Sequence, residues 1–195
     1  MIVAVAGRRI DASGAQPPRF PLGRRQQTAH TIAAALERLG ATTIVSSAAC
    51  GADLLTLRVA REHGLRRRII LPYRAEWFLD DSVTDRPGRW KSLYWSLIEE
   101  ARASDDLLTL DFPRGSDDAF RSANEMIVSE AQRLAHEASP SDPAAALGGL
   151  IVWEGAPRGP DDVTAHLKER LEHAGARVEV ALTLPARTRA GALSR

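Results

Sequence analysis

The sequence predicts an α/β fold of Rossmann-like type: a three-layer open sheet, mostly parallel, with helices on both faces. Two observations predict it. Six short runs rich in β-branched or aliphatic residues recur along the 195 residues, each bounded by turn residues. Between them lie segments whose apolar residues repeat with helical spacing. Strands that alternate with helices imply parallel pairing through right-handed crossovers, because each return segment must cross a face of the sheet before the next strand starts.

The elements follow in chain order. Strands are expected over residues 2–6, 42–46, 68–71, 106–110, 149–153 and 177–182. The first helix carries Ala29, Ile32, Ala33, Leu36 and Leu39 and stops at Gly40; the second carries Leu54, Leu55, Leu57 and Val59 before Gly64. The third shows an unbroken stripe of Trp90, Leu93, Tyr94, Leu97, Ile98 and Ala101. The fourth carries Phe120, Ala123, Ile127, Ala131 and Leu134, and the fifth Val163, His166, Leu167 and Leu171 before Gly175. Residues 138–147, crowded with Ser, Pro and Ala, read as a surface loop. One domain over residues 1–184, with a flexible tail at 185–195, suits this length. Strand order is not readable from alternation.

Composition narrows the functional classes. No apolar run approaches the roughly 20 residues of a spanning helix, so a soluble, cytoplasmic protein with no membrane partner is expected. Cys50 is the single cysteine, which excludes an internal disulfide, and the histidines (His30, His63, His136, His166 and His173) fall at no metal-binding spacing. No metal and no resident cofactor are expected. With a formal net charge of +1, nucleic-acid binding has no global electrostatic support. Arginine supplies 24 of the 26 basic residues, and five of them, Arg8, Arg9, Arg19, Arg24 and Arg25, crowd the first 25 positions against the lone acid Asp11.

In open parallel sheets ligands bind beyond the carboxyl ends of the strands, so the loops there carry the functional weight. After the first strand, Gly7 permits close backbone approach, and Arg8 and Arg9 offer guanidinium groups suited to phosphate; a plain turn with solvated arginines is the other reading. Neither G-x-G-x-x-G nor a Walker lysine is present, which excludes the dinucleotide fingerprint. The loop after the second strand, from Ser46 and Ser47 through Cys50 and Gly51 to Asp53, is built of small residues that would let a ligand reach backbone amides at a helix start. Asp53 either caps that helix or accepts from a ribose. After the fifth strand come Glu154, Gly155, Arg158, Gly159, Asp161, Asp162 and Thr164. Arg158 is placed to clamp phosphate there, and the acids either cap the next helix or contact a sugar and assist glycosidic cleavage. Asn124, on the apolar face of its helix, needs a backbone or ligand partner.

In this order the Gly7-Arg8-Arg9 loop, the Arg19-Phe20-Pro21 passage, the stretch from Ser46 to Asp53 with Leu54-Leu55, the strand Ile69-Ile70-Leu71-Pro72, the Asn124 helix and the stretch from Trp153 to Thr164 resemble the SLOG superfamily. That superfamily is named for the Smf/DprA and LOG proteins, and the resemblance is closest to its YpsA-like signalling branch. It implies a Rossmann-like domain that binds a nucleotide or a nucleotide-derived small molecule in a sensor or regulatory role. LOG proteins themselves are phosphoribohydrolases that cleave a nucleoside 5'-monophosphate near a P-G-G-x-G-T-x-x-E motif. Here the matching stretch runs from Glu154 to Asp162 and lacks the double glycine, the Gly-Thr pair and the glutamate, which counts against that activity; Asp161 and Asp162 are the candidate catalytic carboxylates for it. A DprA-like single-stranded DNA binder ranks last, because it needs a basic groove with aromatic platforms. A homodimer is a further expectation, from aromatics on two sides of the helix bearing Tyr94 and Trp95.

Overall fold

The computed structural model describes residues 1–116 and 118–185, so all but Pro185 of the expected tail lies outside the described residues. Six strands form one all-parallel sheet: β1 (Ile2–Gly7), β2 (Thr43–Ser46), β3 (Arg66–Leu71), β4 (Leu107–Thr109), β5 (Leu147–Trp153) and β6 (Arg177–Leu182), in the order β4-β3-β2-β1-β5-β6. Among the described residues seven α-helices connect or flank them: α1 (Arg25–Leu39), α2 (Ala52–Glu62), α3 (Ala75–Ser82), α4 (Lys91–Ala103), α5 (Ala119–Ala138), α6 (Pro143–Ala146) and α7 (Val163–His173). This is the Rossmann-like three-layer architecture expected from the alternation.

The two faces of the sheet are assigned by the period of two along each strand. Val3 and Val5 of β1, Ile44 of β2, Ile69 and Leu71 of β3 and Leu150 and Val152 of β5 pack under α1, α2, α3 and α4. Ile2, Ala4 and Ala6, with Val45, Ile70, Ile151 and Trp153, pack under α5 and α7. Because both faces are covered, the central strands read as continuous apolar runs rather than alternating ones. Register holds this arrangement: Ile2 to Gly7 pair one for one with Leu147 to Val152, and a slip of one residue would turn each apolar set to the wrong layer.

The chain walks outward from β1 to β4, then α5 carries it back under the other face to β5, beside β1. The carboxyl ends of β1 and β5 therefore form a topological switch point, where connections leave in opposite directions and open a crevice.

The structure departs from the expected elements in four places. β3 begins at Arg66 rather than at 68, because its three arginines are neutralised where they stand: Arg66 by Asp106 at 2.7 Å, Arg67 by Glu100 at 3.1 Å and Arg68 by Glu130 at 2.9 Å. β4, an edge strand, is shorter than 106–110, while β5 starts inside the stretch expected to be a loop, which also holds α6 with Asp142 as its cap and Pro143 in its first turn. Helix α3 was not anticipated; it is eight residues long, too short to display a periodic stripe. Tyr94 and Trp95 both meet the protein's own core: Tyr94 is fully buried with its hydroxyl donating to the Ala75 carbonyl at 2.8 Å, and Trp95 sits edge-on to it at 5.3 Å. The aromatics that suggested a second copy are thus covered in part by this chain. Among the described residues no helix is long and apolar enough to cross a membrane.

Gly7, the last residue of β1, is fixed by close approach. A Cβ there would lie 2.4 Å from both the Ala52 Cβ and the Val152 carbonyl oxygen, since α2 and β5 converge on this one position. Gly7→Ala is expected to cost about 1–3 kcal/mol as overpacking. That corresponds to a fall of roughly 2–10 °C in Tm, read by thermal melting; an unchanged Tm would show that the neighbours can give way.

Candidate functional site

Three loops meet at the carboxyl end of the sheet, and a buried arginine joins them. Arg8, one residue beyond β1, is only 4% exposed. Its backbone N–H donates to the Val152 carbonyl at 2.8 Å, continuing the β1–β5 ladder. Its guanidinium donates from Nε to Glu154 at 2.6 Å, from Nη1 to Asp162 at 2.7 Å and from Nη2 to the Ala156 carbonyl at 2.9 Å, and it lies over the Trp153 ring. Burial alone would lower the pKa of this guanidinium; the hydrogen bonds to Asp162 and Glu154 outweigh it and hold the group above its ordinary value.

Asp162 serves two structures at once. It is the N-cap of α7, accepting from Thr164 N at 3.0 Å, and it also accepts from Arg158 N at 2.7 Å and from Arg8. Burial would raise its pKa, but the Arg8 and backbone donors dominate and keep the carboxyl well below the usual carboxylate range. The amides and the dipole at the α7 N-terminus, which would favour an anion, are thus occupied by the protein's own carboxylate.

The loop after β2 spends its amides in a similar way. Ala49 N donates to the Asp53 carboxylate at 3.2 Å, Cys50 N to the Ser82 carbonyl at 2.9 Å, Ala52 N to the Arg8 carbonyl at 3.0 Å and Leu54 N to the Ala49 carbonyl at 3.2 Å. Gly51, with φ 108°, is the position where this loop touches the first: a Cβ would stand 2.7 Å from both Arg8 O and Ile10 N. Asp53 is therefore neither the N-cap, which is Gly51, nor exposed on the helix surface; its carboxyl folds back over its own loop.

Beside this junction lies the switch-point crevice, a cavity of about 220 Å³. Its wall at β1 is Ala6, Gly7 and the Arg9 side chain; Ser47, Ala49 and Asp53 come from the β2 loop, Phe78 and Ser82 from α3, Phe120, Ala123 and Asn124 from the start of α5, and Val163 and Thr164 from the start of α7. Arg9 is the one cation of this lining, held by an ion pair with Asp85. Asp53 is its one acid, and burial, opposed by the Ala49 amide and the Arg9 charge, pushes its pKa up to about 7. A carboxyl that titrates near neutrality beside a fixed guanidinium can donate a hydrogen bond when protonated and accept one when ionised.

Of the residues singled out in the sequence, the crevice gathers Gly7, Arg9, Ser47, Asp53, Asn124 and Thr164. Arg8, Glu154 and Asp162 lie beside it, engaged with one another. Cys50 is buried in the core and burial raises its thiol pKa, while Ser46 is fully buried, its Oγ without a partner among the described residues. Gly51 is packed against the first loop. Gly155, Arg158, Gly159 and Asp161 are exposed on the turn outside the crevice, where the Arg158 guanidinium leans toward Asp162 at 3.6 Å. The three glycine-containing loops do converge, but the space at their meeting point is filled by the Arg8 side chain. Sequence reasoning missed Phe78 and Ser82, because α3 was missed; applying the strand-end rule to β3 as well would have drawn attention to that segment. Among the described residues no cluster of three His, Cys, Asp or Glu side chains is arranged to hold a metal ion.

Two outcomes follow from this geometry. Arg8→Ala leaves Asp162 and Glu154 without their cation and is expected to cost about 3–5 kcal/mol, measured by urea unfolding; a loss under about 1 kcal/mol would mean that water replaces the guanidinium freely. For Asp53, the unfolded carboxyl ionises near 3.9, whereas the folded one keeps its proton to about 7. This group therefore favours the folded state fully below about pH 4 and loses that contribution as pH rises toward about 7. Asp53→Asn cannot titrate, so its urea midpoint should rise relative to wild type across that window; a constant difference would refute the assignment. No family model matches the chain, and the comparison with curated proteins finds no significant match.

Proposed function

We propose that this protein is a nucleotide- or nucleotide-derivative-binding domain of SLOG type, with a sensor or regulatory role, whose ligand enters the crevice at the carboxyl end of β1. The observation that carries this reading is the gathering of Arg9, Ser47, Asp53, Asn124 and Thr164 from four separate segments onto one cavity at the switch point. The cavity is smaller than the roughly 300–1,000 Å³ of sites that enclose whole drug-sized ligands. One part of a nucleotide, its base or its sugar, suits the interior, with the rest at the mouth. Phe120, 41% exposed there, offers an apolar face for stacking, while Arg9 is the group for a phosphate. Arg158 has no part in this arrangement, because it does not line the cavity and its guanidinium leans toward Asp162.

Titration calorimetry with a panel of nucleosides, nucleotides and cyclic or dinucleotide derivatives should find one saturable ligand. Arg9→Ala should weaken it about tenfold or more, the scale of a hydrogen bond to a charged group; Arg158→Ala should leave it unchanged. No binding by any member, or the reverse pattern between the two arginines, would overturn the reading.

A LOG-like phosphoribohydrolase is the second reading, and one observation favours it. Asp53 carries a carboxyl with a pKa near 7 into the crevice, which is the poise expected of a general acid. Asp162 is committed to Arg8 and Asp161 is exposed, so the cleavage reading moves from those two acids to Asp53. Chromatography would then show free base released from a nucleoside 5'-monophosphate, abolished by Asp53→Asn and unaffected by Asp161→Asn. Absence of release from every common monophosphate removes this second reading and leaves the first.

A further inference from the structure

Most arginines of the described residues stand within 4.0 Å of a carboxylate: Arg8, Arg9, Arg38, Arg61, Arg66, Arg67, Arg68, Arg114 and Arg133 among them. This chain pairs most of its arginines with acids, and two of those it leaves without one face the same space. Arg24, Arg25, Arg89 and Arg102 have no carboxylate within that distance among the described residues, and two of them, Arg25 and Arg89, line one depression, between the start of α1, the middle of α2 and the turn into α4. Its volume is about 480 Å³, more than twice that of the crevice.

The lining of this depression is divided cleanly. Leu22, Leu55, Leu93 and the nearly buried Trp90 make an apolar floor, and Trp90 is fixed there by donating its indole N–H to the Pro87 carbonyl at 2.8 Å. Arg25, Arg58 and Arg89 stand around it, and no carboxylate belongs to the lining. Arg58 reaches only the exposed Glu62, one turn along α2, from its Nε at 3.5 Å; that Nε is buried and makes no hydrogen bond. Arg25 uses its guanidinium only on the Leu22 carbonyl, at 3.3 Å. Three like charges held around an apolar surface repel one another and gain from a shared anion. Guanidinium groups suit the planar or tetrahedral oxygens of carboxylates and phosphates, and the floor suits a ring.

We propose that this depression is a second ligand site, separate from the crevice, for an organic anion with an apolar body, of which an aryl phosphate is the simplest example. The head group lies among Arg25, Arg58 and Arg89, and the ring lies on Leu55, Leu93 and Trp90. The site does not depend on the function proposed for the crevice, since no residue is shared between the two linings.

Phenyl phosphate, inorganic phosphate and phenol, titrated into the full chain by calorimetry, test it. Phenyl phosphate should bind at least tenfold more tightly than either half of itself, and more weakly as salt is raised. Arg25→Gln combined with Arg89→Gln alters two exposed side chains, keeps the fold and should weaken phenyl phosphate at least tenfold; Arg9→Gln, in the crevice, should leave it unchanged. The proposal falls if phenyl phosphate binds no better than inorganic phosphate, or does not bind, or binds the double variant as it binds wild type. Loss of binding in Arg9→Gln with retention in the double variant would place the anion in the crevice, overturning this site while supporting the other.

Discussion

The architecture of the carboxyl end of the sheet depends on the charge of Arg8. A guanidinium taken out of water is tolerable only when its donors are satisfied and its charge is matched, and here Glu154, Asp162 and the Ala156 carbonyl supply both. The partners come from the loop after β5 and the N-cap of α7, so satisfying one side chain ties that loop and the start of α7 to the end of β1. The same requirement explains why the neighbours are small. Gly7 and Gly51 lie where α2, β5 and the first loop must approach within van der Waals contact for Arg8 to reach its acids.

Much of the anion-binding capacity that this fold class offers is consequently consumed inside the molecule. The Asp162 carboxylate stands at the α7 N-terminus, where the helix dipole would otherwise attract a phosphate, and the β2 loop donates its amides to Asp53, Ser82, Arg8 and Ala49. What remains for a ligand is side-chain chemistry: Arg9 with its partner Asp85, the hydroxyls of Ser47 and Thr164, the Asn124 amide, and Asp53 poised between its two protonation states. Arg25 and Arg89, with no carboxylate within 4.0 Å among the described residues, lie elsewhere, on the apolar depression between α1, α2 and α4.

Particular residues show how far the sequence could be followed. Helix α4 was legible because Trp90, Tyr94, Leu97, Ile98 and Ala101 recur with the helical period, and all of them are buried. The six strands were legible because both sheet faces are covered, which writes apolar runs into the chain. Helix α3, one face of the crevice, was not legible: two turns carry too few residues to establish a period. The stretch from 138 to 147 misled because its Ser, Pro and Ala content resembles a loop, whereas α6 needs only the Asp142 cap and its proline, and β5 gains its first residues by pairing with β1.

The sequence by itself determined the fold class, five of the seven helices, the six strands and the principle that the strand-end loops would meet, because these follow from periodicity and from the local chemistry of glycine, proline and caps. Only the tertiary structure decided the strand order, the crevice at the carboxyl end of β1, and the use made of each charged residue. Arg8 and Arg9 are adjacent and chemically identical in the chain. One is buried among acids and the other lines the crevice, since their partners, Glu154 and Asp162 for the first and Asp85 for the second, are set by long-range packing that no local pattern encodes.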